Sequence, residues 1–266
     1  MSWGCVLKTG HSFDYSAEFY DLLYKDKDYE REVDFLELIF SGYGKPKSVL
    51  EVGCGTGNYT QILHRRGYSV TGLDISENMI RVARQKCDCA FQVGDIRNVS
   101  MGGKFDACIA MFAVMGYMVN NSDIVKALNN VRLHLKPNGL FVFDVWNGLA
   151  VMRTLPEVRV KEVEDGKNRV LRIAYPSLEA FSHVCRVDYK LLVLDKNEGS
   201  FEEVDETHNV RFYFPQEIKF FLECAGFEVL KICPFLDFAD VVDENVWNMT
   251  IIARSGKSKQ SDITLH

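Results

Sequence analysis

Three glycines at alternating positions, Gly53, Gly55 and Gly57, follow an apolar run that carries Glu51 near its end. Glycines at the end of a strand let the backbone turn sharply and approach a ligand that side chains would hold off. Free N–H groups at the start of the helix behind such a loop suit an anion. Asp74 ends the next apolar run, where a carboxylate can accept both hydroxyls of a ribose. Gly94-Asp95-Ile96 closes a third run, so Asp95 can accept from an adenine amino group while Ile96 covers the ring. Met111-Phe112 closes a fourth with apolar surface. A glycine at position 58 would complete the dinucleotide fingerprint G-x-G-x-x-G, but that position is Asn58, which departs from the nicotinamide-cofactor pattern.

These residues need a scaffold that brings strand ends together, and the hydrophobic pattern predicts one. Two helices are expected within residues 13–40, before the break at Gly42-Tyr43-Gly44-Lys45-Pro46. Strands are expected at 49–52, 69–73, 90–93, 105–111 and 140–145, with helices at 59–66, 76–86 and 122–135 between them. Ser76 and Ser122 are the expected caps, and 136–139 the expected turn. The alternation implies a doubly wound, mostly parallel sheet with ligands at its carboxyl edge. From 158 to 214 the period falls to two, with turn signals at 164–168 and 195–199, as in an inserted small antiparallel sheet. A helix from Pro215 to Cys224 and strands at 228–232 and 249–253 complete the core.

Glu51 through Gly57, then Asp74, then Gly94-Asp95, together with the Lys136-Pro137-Asn138-Gly139 turn, resemble class I S-adenosylmethionine (SAM)-dependent methyltransferases. The resemblance implies an α/β fold with a seven-stranded, mostly parallel sheet and SAM as cofactor. It implies that Gly53, Cys54, Gly55 and Gly57 surround the methionine end, with Glu51 near its amino group. It places Asp74 by the ribose, Ile75 and Met79 in the cofactor site, Asp95 and Ile96 by the adenine, and Met111 and Phe112 by the adenine or the sulfonium. Tyr20-Asp21-Leu22-Leu23-Tyr24 with Lys27-Asp28-Tyr29, and the segment 111–117, are similar to dTDP-aminosugar N-methyltransferases. The insertion also suits glycine N-methyltransferase-like enzymes. By this resemblance Tyr24 lines both cofactor and acceptor sites, and Tyr15 joins the cofactor site. Asp144-Val145-Trp146-Asn147 stands where the aminosugar enzymes carry an acidic-Pro-Trp-Trp run.

The organisation expected is an N-terminal helical cap at 1–47, a SAM-binding core at 48–148 and 215–254, the insertion at 149–214 over the active site, and a flexible tail at 255–266. Candidates for acceptor chemistry are Tyr24, Tyr117, His208 and Arg211. His208 would be a base, and the tyrosines would hydrogen-bond the acceptor or face the sulfonium. The first reading is methylation of an amine on a small polar molecule, with an aminosugar nucleotide as one option. O-methylation is second, and a SAM-binding protein without transferase activity is third.

The chain has 266 residues, 47% of them hydrophobic, enough for a full core. Its net charge of -6, with no basic block, points away from nucleic acid and anionic membranes. Neither an Asn-Pro-Pro-Tyr-like motif nor a Pro-Cys nucleophile is present. The eight cysteines form no CxxC pair, so no metal site is expected, and reduced thiols suit a cytoplasmic protein. A homodimer is one option for assembly.

Overall fold

The computed structural model describes residues 5–10 and 16–256. It begins with β1 (Cys5–Gly10), α1 (Tyr20–Leu23) and α2 (Tyr29–Tyr43). The alternating core follows as β2 (Ser48–Val52), α3 (Asn58–Arg65), β3 (Ser69–Asp74), α4 (Glu77–Lys86), β4 (Ala90–Val93), β5 (Phe105–Ala110), α5 (Asn121–His134) and β6 (Leu135–Trp146). A short α6 (Gly148–Arg153) leads to β7 (Arg159–Glu164), β8 (Asn168–Glu179), β9 (Val184–Asp195) and β10 (Phe201–Arg211). The chain then returns through α7 (Pro215–Cys224), β11 (Phe227–Pro234) and β12 (Asn248–Ser255).

Val49 and Leu50 are adjacent in sequence, both fully buried, and enter two different cores. That follows from the period of two in a strand covered on both faces. Phe141 and Phe143 join Leu50 under α5 and α7, whereas Leu140 and Val142 join Val49 under α2 and α3. The seven strands run in the order β11-β12-β6-β5-β2-β3-β4. β12 pairs antiparallel with both β6 and β11, and the other neighbours are parallel. The order reverses direction beside β2, so its carboxyl end opens onto the crevice where such sheets hold ligands.

β7 to β10 form antiparallel hairpins, with their own core of Val163, Val170, Leu191, Val193 and Val204. Phe19 and Leu23 from the N-terminal region complete that core. β1 adds to this sheet as a parallel edge strand beside β10, where only helices were expected ahead of the core. Its partner lies almost two hundred positions away in the chain, so local periodicity carries no sign of the pairing. The N-cap of α5 is Asn120, two residues earlier than the expected Ser122. The expected turn at 136–139 is a bulge inside β6. Leu135 pairs with Phe105 and Leu140 with Ala107, which leaves the intervening residues looped out around Asn138 at φ 63°. Among the described residues no helix is long and apolar enough to cross a membrane.

Candidate active site

A cavity of about 750 Å³ opens at the carboxyl ends of β2, β3 and β5, with the inserted sheet as its other wall. This lies in the upper part of the range for small-molecule sites, about 300–1,000 Å³. Gly53, Gly55 and Gly57 all have positive φ, at 66°, 54° and 79°. At Gly53 a Cβ would meet Val114 at 2.5 Å, while at Gly55 it would meet nothing within 4 Å. The loop is therefore tight on its inner side and bare on its open side, which leaves a cradle before the start of α3.

Asp74 holds that loop. One carboxylate oxygen accepts from the Gly55 N–H at 2.8 Å and the other from the Ser76 N–H at 2.9 Å. Burial raises its pKa, and the backbone N–H groups partly offset the rise. Ile75 and Met79 line the cavity next to it. Across the crevice, Asp95 is gripped by the Arg97 guanidinium at 2.5 Å, and Arg97 also reaches Asp123 at 3.1 Å. Burial acts to raise the Asp95 pKa, but the Arg97 contacts outweigh it and hold the carboxyl below its ordinary value.

Phe112 and Ala113 follow β5 with φ of 70° and 59°, a left-handed conformation that costs free energy for residues with a side chain. Asp144, in β6, holds them there by accepting both of their N–H groups, at 2.5 and 3.1 Å. Burial pushes the Asp144 carboxyl up to about 6. On the N-terminal side, Asp21 accepts from Thr56 at 2.7 Å and Asn58 at 3.0 Å and pairs with Lys86 at 2.5 Å. These contacts pin α1 over the glycine loop. The Tyr24 ring then meets Phe112 edge-on, centroids 5.2 Å apart.

The inserted sheet contributes a chain of polar groups. The Tyr117 hydroxyl lies 2.7 Å from His208 Nδ1, and His208 Nε2 lies 3.4 Å from a Glu206 carboxylate oxygen. His208 and Glu206 are buried, and the Tyr189 ring meets the imidazole edge-on at 4.9 Å.

Of the expected site residues, Tyr24, Gly53, Cys54, Gly55, Asp74, Ile75 and Met79 line this one cavity, as do Asp95, Ile96, Met111, Phe112, Tyr117 and His208. Glu51 and Gly57 are not on its wall. Glu51 is buried behind the loop and accepts a hydrogen bond from the Thr60 hydroxyl. Burial, reinforced by the negative charge of Asp74, pushes its carboxyl up to about 8. Gly57 caps α3. Arg211, expected beside the acceptor, turns away from the cavity. It pairs with Glu217 at 2.5 Å, donates to the Val119 carbonyl and stacks over Tyr213, tying β10 to α7. Tyr15 lies outside the described residues. Sequence reasoning missed Asp144, Arg97, Tyr189, Glu206 and Arg172. For Arg172 a signal existed, because it alternates with Val170 on the inward face of β8, a charge on an otherwise apolar side.

Comparison with known proteins gives a consistent picture. A family described as a methyltransferase domain matches residues 49–139. The dTDP-3-amino-3,6-dideoxy-alpha-D-glucopyranose N,N-dimethyltransferase of Streptomyces fradiae is 30% identical, over 83% of this chain and 88% of that protein. The dTDP-3-amino-3,4,6-trideoxy-alpha-D-glucopyranose N,N-dimethyltransferase of Streptomyces venezuelae is 27% identical, over 80% and 90%. In fold, the chain is similar to the sugar N-methyltransferase KedS8 from Streptoalloteichus, with a TM-score of 0.78 over 95% of this chain and 98% of that one at 20% identity.

Proposed function

Because the chain belongs to the SAM-dependent methyltransferases, we propose that it transfers a methyl group to an amine nitrogen of a small, sugar-type acceptor. The observation that carries this reading is the Tyr117–His208–Glu206 chain in the same cavity as the glycine loop. The two Streptomyces relatives, which by name dimethylate dTDP-linked aminosugars, support the acceptor class.

The cradle fits SAM: the open side of Gly55 and the start of α3 suit its methionine carboxylate, and Asp74 suits its ribose hydroxyls. When bound, SAM supplies a methyl group on a sulfonium, already activated for in-line displacement. The residues of this chain do the rest. The backbone of 53–55 would hold the amino-acid end, and Asp74 would accept from the ribose. Asp95 would take the adenine amino group, with Ile96 beside it. Tyr24 and Phe112 would present aromatic surface towards the sulfonium and exclude water. Glu51 serves the loop's base through Thr60.

An amine attacks only when neutral, so an arriving ammonium must lose a proton. The neutral His208 tautomer that satisfies both contacts carries its proton on Nε2, donated towards Glu206. Nδ1 then accepts from the Tyr117 hydroxyl, which lines the cavity. The amine proton moves to the Tyr117 oxygen as the Tyr117 proton moves to His208, and Glu206 offsets the imidazolium charge. A positioned base of this kind contributes about 10²–10⁴-fold in rate.

We extend the proposal to a cytoplasmic enzyme with no nucleic-acid or membrane partner. Supporting it, Cys54, Cys87, Cys89, Cys108, Cys185, Cys224 and Cys233 are all free thiols, and the net charge is -6. The test is incubation with SAM and a panel of aminosugar nucleotides, free aminosugars and their hydroxyl counterparts, read by product mass. N-methyl products are expected. O-methyl products alone, from the hydroxyl counterparts, would overturn the amine reading.

A further inference from the structure

Arg172 sits on the cavity wall with no counter-ion among the described residues. Its Nη1 donates to the Tyr24 hydroxyl at 2.9 Å, and its guanidinium packs over the rings of Tyr24 and Tyr189, 5.4 and 5.2 Å from their centroids. Those partners are neutral. Among the described residues Arg172 makes no ion pair, and its Nε is buried without a hydrogen-bond partner. An orphaned buried donor costs about 1–3 kcal/mol, and an uncompensated guanidinium more. Its cross-strand partner in β7 is Lys161, a second cation on the same face, whose nearest acid, Asp26, lies 3.5 Å away and is largely exposed. On the β9 side its partner is the fully buried Leu191. Among the described residues, Arg172 thus stands on this face with no carboxylate paired to it, whereas Lys161 has Asp26.

Resting on the amine reading above, we infer that Arg172 is the anchor for an oxyanion carried by the acceptor, a phosphate or a carboxylate, taken side-on through Nε and Nη2. The two planar N–H groups of that edge match two oxygens of one anion. Tyr24 links this subsite to the reacting centre, since its ring meets Phe112 while its hydroxyl accepts from Arg172. The substrate class is therefore an amine and an oxyanion on one small molecule, about one aromatic side chain apart.

The experiment has a binding arm and a turnover arm. Protein saturated with S-adenosylhomocysteine is titrated calorimetrically with inorganic pyrophosphate and with malonate, as wild type, Arg172→Met and Arg172→Lys. At least one anion should bind the wild type and bind Arg172→Met at least tenfold more weakly. Retention of pyrophosphate by Arg172→Lys, which keeps a point charge, would assign phosphate, and loss of malonate by both variants would assign a carboxylate. In the turnover arm, an aminosugar carrying a phosphate or carboxylate is compared with its neutral methyl glycoside. The ratio of kcat/KM values should favour the anionic acceptor by tenfold or more in the wild type and fall towards one in Arg172→Met. Equal anion binding by wild type and Arg172→Met, or anion binding by neither, overturns the inference. So does loss of S-adenosylhomocysteine binding in Arg172→Met, which would assign Arg172 to the cofactor. If the anion binds through Arg172 but no amine is methylated, the amine reading fails and the anion subsite stands.

Discussion

Glu51 makes the stability of the fold depend on pH. Its carboxyl is buried, has the Thr60 hydroxyl as partner, and titrates at about 8 rather than its ordinary 4.5. A carboxyl raised in this way binds its proton more tightly folded than unfolded. Its contribution to stability is complete below the unfolded value and is lost as pH rises through the folded one. Between pH 4.5 and 8 the loss amounts to about 5 kcal/mol at ~1.4 kcal/mol per pH unit. Local rearrangement that lets water reach the ionised carboxylate reduces this to about 2–4 kcal/mol. Glu51→Gln keeps an acceptor for Thr60 and cannot ionise. Urea unfolding at pH 5, 7 and 9 reads the difference. The two proteins should match within about 1 kcal/mol at pH 5, with the variant more stable by about 2–4 kcal/mol at pH 9. Parallel curves from pH 5 to 9 would refute the reasoning, because they would mean that Glu51 ionises without a burial penalty. Since Glu51 stands behind the wall, S-adenosylhomocysteine affinity should also change less than about threefold.

Other substitutions separate the parts of the site. Asp74→Asn loses a charge-assisted contact to the glycine loop and weakens the ribose site, so the Kd for S-adenosylhomocysteine should rise about 10–100-fold by calorimetry. Asp144→Ala leaves the Phe112 and Ala113 N–H groups unpaired and frees a strained turn, so urea unfolding should show a loss of about 2–4 kcal/mol and kcat should drop with it. Tyr117→Phe and His208→Ala should each lower kcat by about 10²-fold or more while the S-adenosylhomocysteine Kd stays within about threefold. Arg211→Met breaks the pair with Glu217 and should cost about 2–3 kcal/mol in unfolding without altering cofactor affinity.

The cofactor half of the cavity was readable because its residues sit where strands end, and strand ends are marked by apolar runs stopping at glycine or acid. Gly53, Asp74 and Asp95 each announce themselves this way. The supporting contacts were not readable, because they join distant positions. Asp144 matters through two left-handed residues more than thirty positions earlier, and nothing in its own strand says so. Arg211 and His208 looked alike as polar residues near the end of the insertion. Register separates them, for His208 faces Tyr117 while Arg211, three residues on, faces Glu217. β1 was missed because its pairing with β10 protects an edge formed far along the chain. Arg172 was legible in principle, since a charge at an inward position of an alternating strand has either a partner or a purpose.

The account stands most directly on single-turnover transfer of a deuterated methyl group from labelled SAM to an aminosugar nucleotide, followed by mass spectrometry for wild type and His208→Ala. The wild type should give a product with the label on nitrogen, and His208→Ala should slow its formation about 10²-fold or more while binding S-adenosylhomocysteine normally. Label on oxygen, or equal rates in the two proteins, would contradict a proton-accepting chain that prepares an amine.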